Sequence, residues 1–142
     1  MDFMALLERH DDPRRWEYPV GFDYGATTRR FTEFAEALSS ALGVPLRSET
    51  GSLIQDASFH SQIFLPLGEG RHAVIRFSNF GDMATLSEDE PVPPELLKAV
   101  VGLLERHGYV YVPASVLAQP YTGRNTGVTG IRDWWIRYFD WV

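Results

Sequence analysis

Between Thr28 and Leu42 apolar residues recur at three- and four-residue spacing, so that Phe31, Phe34, Ala35, Leu38, Ala41 and Leu42 fall on one face. That spacing predicts an amphipathic helix, with Thr27 or Thr28 to cap its start and Gly43 to take the left-handed conformation at its end. A short helix from about Asp2 to His10 is expected before it. Between the two, Trp16, Tyr18, Phe22 and Tyr24 stand among Pro13, Pro19, Gly21 and Gly25, the pattern of an irregular segment pinned by aromatic side chains.

From Val44 to Leu86 the period falls to two. Leu53, Ala57, Phe59, Ile63, Leu65 and Leu67 occupy odd positions, and Asp56, Ser58, His60 and Gln62 occupy even ones, which predicts a half-buried antiparallel strand. Leu67 to Arg71 supplies a turn, and His72 to Phe77 returns with Ala73, Ile75 and Phe77 on one face and Arg76 on the other. Asn79-Phe80-Gly81-Asp82 reads as a turn or bulge leading into a short strand, Met83 to Leu86.

The period then returns to helical. After the acidic, proline-punctuated loop Ser87 to Pro94, the residues Leu96, Leu97, Val100, Val101, Leu103 and Leu104 give an apolar helix face, closed by Arg106, His107 and Gly108. Tyr109 to Val112 suits a short strand, Pro113 to Leu117 one helical turn, Tyr121 to Gly127 a loop, and about Ile131 to Val142 a last helix. Strands are grouped rather than alternating with helices. The expectation is a single α+β domain over 1–142, an antiparallel meander of three to four strands with helices packed on one face.

Composition narrows the function classes. With 142 residues, 44% of them apolar and 13% aromatic, the chain can bury a sizeable core without a staple, and it has no cysteine for a disulfide, a thiolate nucleophile or a thiolate zinc site. Thirteen Lys and Arg against nineteen Asp and Glu leave a net charge of −6, which disfavours nucleic acid and suits a basic partner. The N-terminus has an acid where a signal peptide is basic, and no apolar run approaches the roughly 20 residues of a membrane span. A cytoplasmic protein without membrane contact is expected.

Motifs for chemistry are sparse. None of the pairs among His10, His60, His72 and His107 has metal-ligand spacing, and Asp56 and His60, four residues apart on an extended chain, lie roughly 13 Å from each other. Ser58, Ser61 and Ser78 lack a nucleophile-elbow pattern, and the glycines of 21–25 and 123–130 match neither phosphate-binding fingerprint. Neither a metal nor a cofactor is expected. Three surfaces stand as partner-binding candidates: the polar strand face of Asp56, His60, Gln62 and Arg76; the acidic loop Glu88, Asp89 and Glu90; and an aromatic stripe of Trp134, Tyr138 and Trp141 on the last helix, beside a buried stripe of Ile131, Trp135, Phe139 and Val142. Asp133 and Arg137 are spaced to pair across one turn of that helix.

Ile75-Arg76-Phe77-Ser78-Asn79-Phe80-Gly81, the following helix, Gly108-Tyr109-Val110-Tyr111-Val112-Pro113, Pro120-Tyr121-Thr122-Gly123 and Trp134 to Trp141 together resemble small bacterial immunity proteins of polymorphic toxin systems. The resemblance covers roughly the C-terminal half. It implies a non-enzymatic cytoplasmic protein that neutralises a cognate toxin by covering its active site, and it carries no catalytic residues with it. Two other classes remain open: a small hydrolase or transferase with a pocket lined by His60, Asp56 and Arg76, and a structural subunit that homodimerises through Trp134, Tyr138 and Trp141.

Overall fold

A computed structural model of the chain describes residues 1–87, 89, 91–125 and 130–141. Helix α1 (Phe3–Arg9) begins where the Asp2 carboxylate accepts the Ala5 amide at 3.0 Å. Helix α2 (Tyr24–Leu42) starts four residues before the predicted Thr28, because Asp23 rather than a threonine is its N-cap and accepts the Ala26 amide at 3.1 Å. It ends as the pattern requires: Gly43 at φ 70° donates its amide to the Ser39 carbonyl.

The sheet has five strands in sequence order: β1 (Arg47–Thr50), β2 (Phe59–Gly68), β3 (Arg71–Ser78), β4 (Met83–Leu86) and β5 (Val110–Tyr111). The first four pair antiparallel, and β5 joins β4 in parallel after helix α3 (Pro94–Arg106) crosses over. The sheet therefore exceeds the expected three to four strands at its leading edge. Arg-Ser-Glu-Thr of β1 has no apolar alternation to announce it, and it is held by main-chain pairing with 61–64 of β2. At the β2–β3 hairpin Glu69 and Gly70 both have positive φ, 55° and 74°, as a two-residue turn matched to strand twist demands.

Helices α2 and α3 lie on one face, as expected. Phe31, Phe34 and Leu38 of α2 and Val100, Leu103 and Leu104 of α3 are buried against Ile63, Leu65, Ala73, Ile75, Phe77, Ala84 and Leu86. Much of the opposite face is covered too. There Phe80, Met83 and Val112 pack with Leu6 and Leu7 of α1, Leu117 of α4 (Ala114–Leu117), and Trp134, Tyr138 and Phe139 of α5 (Trp134–Phe139). Helix α5 is half its predicted length: the Asp133 side chain caps it through the Ile136 amide at 2.9 Å, and Asp140 is already extended. Among the described residues no helix is long and apolar enough to cross a membrane.

Candidate functional site

One inserted residue decides what the sheet presents. In the β2–β3 ladder Phe59 pairs with Ser78 and Ser61 with Phe77, so His60 is a bulge without a partner. The bulge inverts the alternation on its N-terminal side. Phe59 joins Gln62 and Arg76 on the α5 face, where the Arg76 guanidinium lies 4.3 Å from the Phe59 ring centre, whereas His60 turns to the α2 face beside Phe31 and Phe77. The polar row of Asp56, His60, Gln62 and Arg76 predicted from period two therefore does not exist. Asp56 is exposed before the strand at φ 52°, His60 is buried on the other side, and the three residues of the hydrolase alternative are not gathered round one cavity.

What remains of that row is internal structure. Gln62 donates to the Glu49 carboxylate at 2.9 Å and accepts from Arg76 Nε at 3.0 Å, while Arg76 Nη1 donates to the Phe139 carbonyl at 2.7 Å. Arg76 thus fastens the end of α5 to the sheet, and burial draws its pKa down from the ordinary arginine value.

The aromatic stripe resolves similarly. Trp134 and Tyr138 are fully buried, and only Trp141, 46% exposed and edge-on to Phe59, meets solvent. Arg137 pairs with Asp11 instead of Asp133, which is spent on capping α5. In the acidic loop Asp89 accepts from the Tyr111 hydroxyl at 2.7 Å and the Ala114 amide at 3.2 Å, pinning the loop to β5 and α4. Glu88 and Glu90, together with Thr126, Gly127 and Val142 of the predicted loop and helix, lie outside the described residues.

The most site-like feature is a cavity of about 260 Å³ between the loop 19–23, the N-terminal half of α2, the turn 78–82 and Tyr109. The bulge delivers His60 into its wall. His60 Nδ1 is 2.7 Å from Ser61 Oγ, which in turn is 2.6 Å from Thr50 Oγ1, so the ring orientation is fixed by a chain of hydroxyls; among the described residues no hydrogen bond reaches Nε2. Burial, reinforced by Arg30 and opposed by Asp82, lowers the His60 pKa to about 4, and the imidazole is neutral near pH 7. Ser61 is itself fully buried, so its contact with His60 gives no nucleophile that a substrate could reach.

Two residues that line the cavity, Asn79 and Tyr109, each carry a polar atom that is sealed from solvent and lacks a partner. The Asn79 side-chain amide donates to the Glu17 carbonyl at 2.6 Å and the Ala57 carbonyl at 3.3 Å, which fixes its orientation, yet Asn79 Oδ1 receives nothing. The Tyr109 hydroxyl is likewise unpartnered, and burial raises its pKa to about 12. Such groups ordinarily find a partner, because each one sealed without a hydrogen bond costs about 1–3 kcal/mol. At the rim Arg30 Nη1 meets Asp82 at 2.7 Å, Nη2 donates to the His107 carbonyl at 3.3 Å, and the guanidinium lies 4.8 Å from the Tyr109 ring centre.

The rim continues into aromatic side chains. Tyr18 stacks on Phe22 at 6.0 Å, and Phe22 meets Tyr24 edge-on at 4.7 Å. Tyr18 is 39%, Tyr24 49% and Val20 74% exposed. The sequence marks this stretch as a pinned aromatic segment but does not signal that its Val20 and Phe22 line a cavity. The signal that was available is the coincidence of four aromatic side chains with two prolines and two glycines, which holds aromatic rings in a loop rather than in a core element. Among the described residues no three His, Asp or Glu side chains converge so as to hold a metal ion. Comparison with family models, with curated proteins and with solved structures finds no match to this chain.

Proposed function

We propose that this chain is a cytoplasmic protein-binding module that engages a basic protein partner, in the manner of the immunity proteins its C-terminal half resembles, and neutralises that partner by covering its working surface. One observation carries this reading: Tyr18, Val20 and Tyr24 stand exposed on and beside the loop whose Val20 and Phe22 line a polar cavity, with Phe22 in ring contact with both tyrosines. Tyrosines held by mutual ring contacts are effective interface anchors, since they offer large contact area at little cost in side-chain entropy. The net charge of −6 favours encounter with a basic surface.

The test is titration calorimetry with the protein encoded by the adjacent gene, comparing wild type with Tyr24→Ala. A complex at micromolar concentration or tighter is expected, weakened at least tenfold by the substitution, which corresponds to about 1.4 kcal/mol. No complex with that protein, or a complex indifferent to Tyr24→Ala, would overturn the assignment. Self-association through Trp141 would appear in the same experiment as heat of dilution and as a larger species on elution.

A further inference from the structure

We infer that β1 is a self-pairing edge through which two copies of this chain join, antiparallel and two-fold symmetric, with Ser48 opposite Ser48 of the second copy. This pairing is independent of docking at the aromatic loop. Strand β1 is the outer strand of the sheet, and β2 is its one strand neighbour. The ladder fixes which way its main chain points. Val74 accepts the Ser87 amide at 2.9 Å, so its main chain faces β4. Alternation then turns Ile75 towards β2, Ile63 towards β3, and Gln62 and Phe64 towards β1. Arg47 and Glu49, opposite Phe64 and Gln62, therefore commit their main-chain groups to β2, while those of Ser48 and Thr50 point outwards. Among the described residues no other main-chain hydrogen bond reaches Ser48 or Thr50.

Exposed edges are commonly guarded by charge, and here the charges are placed to attract a copy in one register. Outward residues must stand opposite outward residues. Centred on Ser48, the pairing sets Arg47 of each copy against Glu49 of the other; centred on Glu49 it opposes two carboxylates, and centred on Arg47 two guanidiniums. Residues flanking the Ser48 pair form a non-hydrogen-bonded pair, the closer kind, with Cα atoms about 4.5 Å apart. Both charged side chains are already held on one face of the sheet. The Arg47 guanidinium lies 4.5 Å from the Phe64 ring centre, and Glu49 accepts from the Gln62 amide at 2.9 Å. Neither makes an ion pair among the described residues. Val44 and Leu53, both exposed, stand at opposite ends of the strand, so an antiparallel pair has apolar surface at each end. The interface is small, and the dimer is weak and sensitive to salt.

The experiment is sedimentation equilibrium of the full-length protein over about 10 µM to 1 mM, at low and at high salt. A monomer–dimer equilibrium weakened by salt is expected. Ser48→Pro removes an outward amide while sparing the ladder to β2, and should weaken the dimer about tenfold or more. Arg47→Glu and Glu49→Arg should each do the same, because each sets like charges opposite one another. Mixed in equal amounts, those two variants should form a heterodimer, because the mixture restores opposite charges at both positions. Amide exchange followed by nuclear magnetic resonance should show protection of Ser48 and Thr50 that rises with concentration, and protection of Glu49 throughout.

A protein that stays monomeric across the whole range overturns the proposal, as does a dimer that neither Ser48→Pro nor the charge reversals move. A dimer lost in Trp141→Ala but kept in Ser48→Pro assigns self-association to the terminal aromatics and overturns it as well. Recovery of the dimer on mixing Arg47→Glu with Glu49→Arg supports it and shows that both variants fold.

Discussion

Arg137 Nε donates to Asp11 Oδ1 at 2.7 Å across 126 positions of sequence, and neither side chain is exposed. Its other N–H groups go to the carbonyls of Arg15 at 2.8 Å, Trp16 at 3.2 Å and Asp12 at 3.3 Å, and the guanidinium lies 4.7 Å from the Phe80 ring centre and 4.9 Å from that of Tyr138. Asp11 is satisfied from the other side by the Tyr121 hydroxyl and the Arg124 amide. Removing the arginine leaves the buried Asp11 charge without its cation and takes one donor from each of three carbonyls, so Arg137→Met should cost about 3–5 kcal/mol. A urea titration reads this directly. Arg137→Lys should recover little of the loss, because an ammonium cannot span the same set of acceptors.

Gly123 approaches this cluster so closely that a Cβ there would overlap Asp11 Oδ2 and the Tyr121 ring. One methyl group would therefore displace the hydroxyl and the amide that hold Asp11. Gly123→Ala is expected to destabilise the protein by about 2 kcal/mol, in the range of an overpacked site that also loses hydrogen bonds. Thermal unfolding monitored by near-ultraviolet circular dichroism should show a lower midpoint with the native spectrum retained below it.

Acid should destabilise the chain through His60. Its folded pKa is about 4 against 6.5 for the free side chain, so between those values the unfolded state binds more protons, and stability falls as the pH falls. The contribution is intact above about pH 6.5, declines through the interval and is exhausted near pH 4, a loss of roughly 3 kcal/mol if the shift is fully expressed. His10, also lowered by burial and by Arg9, acts in the same direction. His60→Gln should therefore flatten, without abolishing, the stability profile over that interval when chemical denaturation is repeated at half-unit steps of pH. A profile for the variant parallel to that of wild type would contradict the assignment.

Helices α2 and α3 were legible because each repeats an apolar face over more than three turns, and burial of that face dominates its placement. The β2–β3 hairpin was legible for the same reason at period two. The polar face failed at one residue. A bulge changes no composition and leaves the alternation in the text unbroken, yet it exchanges the sides that Phe59 and His60 would face in a regular strand. Strand β1 carries no apolar alternation, and main-chain pairing with β2, joined by Glu49 to Gln62 and Thr50 to Ser61, holds it without any pattern that its own four residues announce. The terminal aromatics were ambiguous because whether Trp134 and Tyr138 are core or surface depends on Leu6, Leu7 and Phe80, which are remote in sequence. The cavity was invisible for a related cause: Asn79, Tyr109, Arg30 and His60 meet only once α2 lies across the bulged strand.

The tie between Arg137 and the segment 11–16 also bears on when the molecule matures. Helix α1 shares its apolar cluster with Trp134, Tyr138 and Phe139, so during synthesis it waits for α5, far later in the chain. The layer around α2, α3 and the hairpin can consolidate during synthesis, while α1 and the residues that follow it remain unanchored until residues 134–139 emerge. Closure of the second layer is therefore set by the joining of distant parts of the chain rather than by the speed of elongation.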